Sequence, residues 1–462
     1  MAGRLGLILV LLIEATSLLP AQSGDASYVI RNVRLFDGET VAERQTVIIS
    51  QGKIAAVGSS TVVVPAGAQE VAGEGRTLVP GLIDAHVHLP FFGSAAALQQ
   101  NLAFGVTTAV VMWAAPQLVT QVKGLSDRPD VAAAITAGTG ATAPGGHPTQ
   151  MDPQAALIPT LTRPGDADAF VAARVAEGSD FIKIIYDDTN EAYGRTLPTL
   201  DEATVAAVAA SAHKRGLVAV AHIGSERFAR GAIAAGVDGL AHLFVGPTVS
   251  ANFGQFAAGR GVFVIPTLSV LYSVCGKTDG PSFLEEADTM RYVKPQFRGL
   301  VEMPAADSKV SCESAPQAIR QLVAAKVPVL AGTDVPAPGL TYGASLHKEL
   351  EHLVNAGLTP TAALAAATSA IATAFRMTDR GRIKIGRRRM LRYSDQDGFA
   401  ERHTVPRCNR GLKERRPWPE TARLPRFQRS ATTSDSPPKR RCQRSSAPPA
   451  SRNRRHAPAS FD

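Results

Sequence analysis

Short runs of consecutive apolar residues alternate, from Pro80 onward, with longer stretches whose apolar positions recur at helical spacing. Runs of that kind are expected where a strand is buried on both faces. Eight are found, over 81–89, 106–113, 131–137, 181–185, 218–222, 239–242, 262–268 and 327–334. The clearest helical stretches cover 95–104, 167–177, 202–214, 226–235 and 317–325. Thr199 and Glu202 are spaced as a capping box, and Thr359 with Pro360 supplies an N-cap followed by a proline at the first helical position. Eight strands alternating with helices predict a (β/α)8 TIM barrel over 80–376.

The pattern before Pro80 differs. Residues 28–36 partly alternate, Asp37-Gly38 marks a turn, and 47–50 and 53–57 read as a hairpin around Gln51-Gly52. Further short strands are expected at 62–64 and 76–79. The expectation is a small β-sandwich-like module over 28–79, too open-edged to stand alone. The fold class is therefore α/β: a barrel with a small β module.

Composition and charge refine this picture. With 45% apolar residues among 462, the chain has material for a large core. Its net charge of +9 suggests nucleic acid until it is mapped along the chain. Residues 387–462 hold 18 Arg and 2 Lys against 7 acids, so the first 386 residues carry −4. The body has no electrostatic footprint for nucleic acid. At the N-terminus Arg4, the apolar run 7–13 and the small residues around 21–23 predict a signal peptide over 1–23 and an exported protein, periplasmic or secreted. A buried N-terminal helix is the plainer alternative. No segment is expected to insert stably in a membrane. Of the four cysteines, Cys275 and Cys312 lie between two late strands; a disulfide and two unpaired core thiols are both open.

The candidate chemistry sits where strands end, as barrel sites do. Period-two alternation puts Asp84, His86 and His88 on one face of the first strand. Lys183 lies inside the fourth strand, His222 and His242 end the fifth and sixth, and Asp334 ends the eighth. Four of the chain's ten histidines thus fall at strand ends. A buried lysine loses proton affinity, and its neutral amine adds CO2 to give a carbamate able to bridge two cations. Two divalent ions balanced by carbamate, Asp334 and a hydroxide leave one positive charge, suited to stabilising an oxyanion.

The ordered motifs VPGLIDAHVH (79–88), FIKI (181–184), AH (221–222), GVDGLAH (236–242) and AGTD (331–334) resemble the amidohydrolase superfamily, in particular its imidazolonepropionase-like and prolidase-like branch. The resemblance covers about 28–386. It implies that His86 and His88 bind one metal with Asp334, that His222 and His242 bind a second, and that carbamylated Lys183 bridges them. It also implies zinc as the usual ion and hydrolysis of amide-type C–N bonds in dipeptides, N-acyl amino acids or cyclic amides.

His147, in the loop TAPGGHP (142–148), is expected either to contact substrate or to sit in a plain turn. Tyr186 is expected either to hydrogen-bond an oxyanion or to cap its strand, and His213 and His347 to face solvent. The mechanism expected is attack by a metal-activated hydroxide, with Asp334 moving the proton. Two alternatives are a mononuclear deaminase or cyclic-amidine hydrolase, against which Lys183 argues, and a catalytically decayed barrel scaffold. The partner expected is a small-molecule substrate; homo-oligomerisation is left open.

The family pattern is tracked to DRGRIKIG (379–386), where the resemblance implies further strands completing the β module. RRRMLRY (387–393) follows instead, and only 7 of the last 76 residues are Leu, Ile, Val or Phe, against 18 Arg, 9 Pro and 8 Ser. The expectation is a disordered basic tail over 387–462 arising from a frame shift or an aberrant gene end, which leaves the module without its C-terminal half. A basic tail evolved to bind nucleic acid or anionic surfaces is the alternative.

Overall fold

The computed structural model describes residues 27–59, 62–90, 92–126, 128–151, 157–388 and 391–395. The expected signal peptide, and the tail beyond 395, lie outside the described residues.

The first 80 residues contribute five strands: β1 (Tyr28–Phe36), β2 (Val41–Ser50), β3 (Lys53–Gly58), β4 (Gln69–Ala72) and β5 (Arg76–Pro80). β1 pairs antiparallel with β2 and parallel with β4 and β5, and β2 pairs antiparallel with β3. Alternate apolar residues of these strands, among them Ile30, Val33, Val47, Ile49, Ile54 and Leu78, share a core with Ile383. The module is a single mixed sheet among the described residues, where a sandwich was expected. Residues 62–64 form no strand in it.

Seven regular barrel strands follow: β6 (Leu82–Val87), β7 (Val106–Val111), β8 (Ala133–Thr136), β9 (Ile182–Ile185), β10 (Ala219–His222), β11 (Gly239–Ala241) and β12 (Phe263–Ile265). β6–β7–β8 and β9–β10–β11–β12 are parallel ladders, joined by a bridge between Ala141 and Ile184. The expected eighth strand is an irregular arm. It bridges β12 through Val329 and Val264, and returns to β6 through Val335 and Val87, so the ring closes. Two features keep it from forming a regular ladder. Pro328 has no N–H, and the Thr333 N–H goes to the Asp84 carboxylate at 3.0 Å.

Ile83, Ala85, Val110, Phe181, Val220, Phe263 and Ile265 pack in the barrel interior. A larger apolar layer lies between strands and helices, including Ile182, Ile184, Val205, Val208 and Phe228. Helix Pro360–Ala366 is capped as expected, with Thr359 Oγ1 accepting from Ala362 N at 3.1 Å. Helix Glu202–Lys214 is capped differently: Asp201, not Thr199, accepts from Thr204 N at 2.7 Å. Asp201 is nearer the first turn, which makes it the N-cap residue.

After β12 the chain makes an excursion that carries helices Gly280–Glu285, Ala287–Met290 and Pro295–Glu302 before returning at helix Ser314–Ala324. A Cys275–Cys312 disulfide, with Cα atoms 6.1 Å apart, ties the ends of the excursion. That settles the pairing the sequence left open.

A thirteenth strand, β13 (Leu391–Asp395), pairs antiparallel with β5 from Leu391 opposite Pro80 to Asp395 opposite Arg76. Arg387 is also held, because its carbonyl accepts from Ile54 N at 2.9 Å. The expectation of an unstructured chain from 387 is therefore corrected for 387–388 and 391–395: backbone pairing with an open sheet edge needs few apolar side chains. No helix among the described residues is long and apolar enough to cross a membrane.

Candidate metal centre

β6 delivers His86 and His88 to the mouth of the barrel through a register shift. Ile83 and Ala85 point into the interior, so simple alternation would send His86 outward with Asp84. The pairing of β6 with β7 shifts between Asp84 and Val87, which returns His86 and His88 to the mouth. Asp84 does not join them. It is fully buried behind the strand, where its carboxylate accepts from His86 N (3.1 Å), Thr333 N (3.0 Å) and Thr333 Oγ1 (2.7 Å). Burial raises its pKa to about 7 against the pull of these bonds. The expectation that Asp84 shares the histidines' face is corrected; it clamps the ends of β6 and the eighth arm together.

At the mouth, Asp334 Oδ1 lies 3.1 Å from His86 Nε2 and 2.9 Å from His88 Nε2, and Asp334 Oδ2 lies 4.0 Å from His242 Nε2. The two Nε2 atoms of His86 and His88 are 3.3 Å apart. His242 packs at a tilt against His86 with 4.6 Å between centroids, and His222 meets His242 edge-on at 4.5 Å. Ligand atoms of His86, His242 and Asp334 all fall within 4.8 Å of one another. Asp334 and His242 both adopt positive φ, 61° and 75°. Such backbone is uncommon outside glycine and is concentrated at functional sites.

Lys183 shares the inward face of β9 and is opposite Val220 of β10. Its stem runs beside Trp113, in space that depends on Gly140: a Cβ there would come within 2.8 Å of the indole and 3.3 Å of Lys183 Cγ. Its Nζ is buried with no hydrogen-bond partner. Burial lowers its pKa to about 7, although the Asp334 carboxylate opposes the shift.

The same desolvation holds the imidazoles of His86, His222 and His242 neutral. His86 is lowered to about 3, and His222 and His242 well below their ordinary value. For Asp334, burial acts to raise the pKa, but its close electrostatic interaction with His86 and His242 and its hydrogen bonds to His86 and His88 hold it well below its ordinary value. Neutral imidazoles, an ionised carboxylate and an unpartnered amine together form a donor set suited to divalent cations. The amine is the one poor ligand of the set.

His147 is brought to the site. Its ring stacks on His222 at 4.9 Å, and burial lowers its pKa to about 4. Gln150 Nε2 lies 3.0 Å from His147 Nδ1 and orients the ring. Tyr186 is not brought there, which corrects the expected oxyanion donor. Strand alternation puts it with Ile182 and Ile184 on the outer face, where it packs edge-on against Phe228 at 4.8 Å. His347 is half-buried, its Nε2 3.0 Å from the Phe104 carbonyl, whereas His213 is exposed as expected.

Three neighbours of the site were not singled out from the sequence. Trp113 lies just past β7 and forms one wall beside Lys183. Thr267 Oγ1 is 2.7 Å from His242 Nδ1. Tyr342 donates from its hydroxyl to the His88 carbonyl at 2.7 Å. Their signal was position, directly after a strand or in the loop following the eighth arm.

The chain belongs to the Amidohydrolase family, a family of hydrolases of C–N bonds, whose model matches residues 77–388. Imidazolonepropionase of Vibrio cholerae serotype O1 is 41% identical over 59 residues, 13% of this chain. That match spans only 14% of the curated relative's own length. Among solved structures, the chain resembles a Xaa-Pro dipeptidase with bound methionine in the active site, with TM-score 0.61 and 20% identity over 79% of this chain and 92% of that one. It also resembles a putative prolidase from Bifidobacterium longum, with TM-score 0.61 and 22% identity over 80% and 89%. A third likeness is to molinate hydrolase, with TM-score 0.62 and 19% identity over 81% and 90%. At these identities the structural likeness establishes the fold.

Proposed function

We propose that this chain is a metal-dependent hydrolase of amide-type C–N bonds in a small-molecule substrate, with two divalent ions, zinc by preference, held by His86, His88, His222, His242, Asp334 and a carbamate on Lys183. The observation that carries this reading is the convergence of three histidine Nε2 atoms on Asp334 beside a buried, unpartnered Lys183 amine. Family membership supports the bond type. Dipeptides, N-acyl amino acids and cyclic amides are the substrate classes to screen.

When bound, the ions supply a hydroxide near neutral pH and polarise the scissile carbonyl. Asp334, ionised and facing three imidazoles, takes the proton of the attacking water and returns it to the leaving nitrogen. His147, held neutral and oriented by Gln150, contacts the substrate carbonyl or carboxylate. Lys183 is buried, with Trp113 on the far side of Gly140 from its stem. Metal analysis of purified protein, joined to a hydrolysis screen of the three substrate classes, tests the reading. Metal-free protein that stays inert after reconstitution with zinc and bicarbonate would refute it.

A second reading rests on one observation: His86, His242 and Asp334, with ligand atoms within 4.8 Å of one another, form a set that takes one ion without Lys183. It is the mononuclear deaminase or cyclic-amidine hydrolase, and a metal content of one per chain would favour it. The Cys275–Cys312 disulfide supports export to an oxidising compartment, periplasmic or extracellular.

A further inference from the structure

His242 reaches the mouth from a strained backbone, and the groups behind it form a short chain that ends on the barrel's outer layer. His242 Nδ1 meets Thr267 Oγ1 at 2.7 Å. Thr267 is fully buried and adopts φ 49°, a conformation costly for a β-branched residue. The next two backbone N–H groups, of Leu268 and Ser269, donate to the two oxygens of Glu349 at 2.9 and 2.8 Å. Glu349 is itself fully buried, on helix Ala344–Ala356. A buried carboxylate is expensive, and one that grips two consecutive N–H groups fixes the peptide they belong to.

We propose that Glu349 and Thr267 are positioning residues for His242: Glu349 holds Thr267 in its strained conformation, and Thr267 accepts the Nδ1 proton of His242. The proton then resides on Nδ1, so the Nε2 lone pair points at the Asp334 cluster. Outer partners of this sort typically change metal affinity by about 10–100-fold. Glu349 touches neither the substrate nor the ligand atoms, and it acts only through Thr267 and the two peptide groups. The inference rests on the metal-binding reading above.

The test is zinc affinity, read by chelator competition, with kcat and KM measured on any substrate the screen returns. Glu349→Gln places an amide donor against a backbone donor and should weaken zinc binding about 10–100-fold, lowering kcat while KM stays near wild type. Thr267→Val keeps the shape and strain of the residue but removes its oxygen, and should do the same. Thr267→Ser keeps the oxygen and should recover most of the affinity. The Thr267 pair decides the matter if Glu349→Gln fails to fold. Variants that melt earlier but bind zinc as wild type does would overturn the proposal alone. A wild-type chain that binds no zinc would overturn it together with the functional reading, so the two failures are distinguishable.

Discussion

A carboxylate that faces three imidazole nitrogens within 4.0 Å is held in its ionised form, and the lysine behind it is held near neutrality. Two substitutions separate these roles. Lys183→Ala should lose one metal and most activity, as judged by metal content per chain and turnover. Asp334→Asn should keep much of the metal and lose about 10²–10⁴-fold in kcat, because the proton carrier is gone. Near-wild-type rates in both would contradict the assigned roles. Tyr186→Phe should leave turnover unchanged, because the ring packs against Phe228 outside the barrel. A clear fall in kcat there would mean that Tyr186 reaches the mouth after all. The ligand residues were legible because histidine, lysine and aspartate at the ends of apolar runs are conspicuous. The parity of Tyr186 was legible too, since Lys183 and Tyr186 are three apart and must face opposite ways along a regular strand. Asp84 was not legible: a register shift after it reverses the alternation, and no residue type announces that shift.

At the scale of elements, the strands emerged at the positions their apolar runs indicated, generally shorter, because ladder pairing ends before apolar character does. The eighth failed as a regular strand where Pro328 and the Asp84 clamp removed its donors. Helix Ala344–Ala356 carries Glu349, whose pKa burial raises to about 7 against the pull of His352 and the two backbone N–H groups. Its sign is clear. The folded state holds a proton that the unfolded chain gives up near pH 4.5, so stability from this group is present below 4.5 and is lost as pH rises through about 7. The metal-free protein should therefore lose on the order of 1–3 kcal/mol between those limits, and Glu349→Gln should flatten the slope in denaturant melts. An unchanged slope would show that Glu349 does not titrate in this window. The disulfide closes an excursion with ends 37 residues apart in sequence. Cys312→Ser should cost about 3–4 kcal/mol, because the bridge restricts a loop of this length in the unfolded chain. A melt indistinguishable from wild type would mean that the bridge adds nothing to stability.

At the scale of the whole molecule, the barrel and the small sheet share the chain's crossing points: β5 leads straight into β6, Ser369 Oγ hydrogen-bonds the Gly38 carbonyl, and Ile383 N donates to the Asp37 carbonyl at 2.9 Å. β13 covers the free edge of β5. Composition hid this strand, because backbone pairing leaves no apolar signature in a basic stretch. A chain ending at 395 should thus be more stable than one ending at 390 by about 1–3 kcal/mol and less prone to aggregate. Equal melting and solubility would place β13 outside the stable fold. The central claim is a binuclear centre bridged by a lysine carbamate, and native mass spectrometry of the intact chain, prepared with zinc and bicarbonate, reads it directly. The account predicts a mass equal to the chain plus two zinc ions and one carbon dioxide, with the carbon dioxide lost in Lys183→Ala. A chain carrying one metal and no carbon dioxide would contradict it and establish the mononuclear reading in its place.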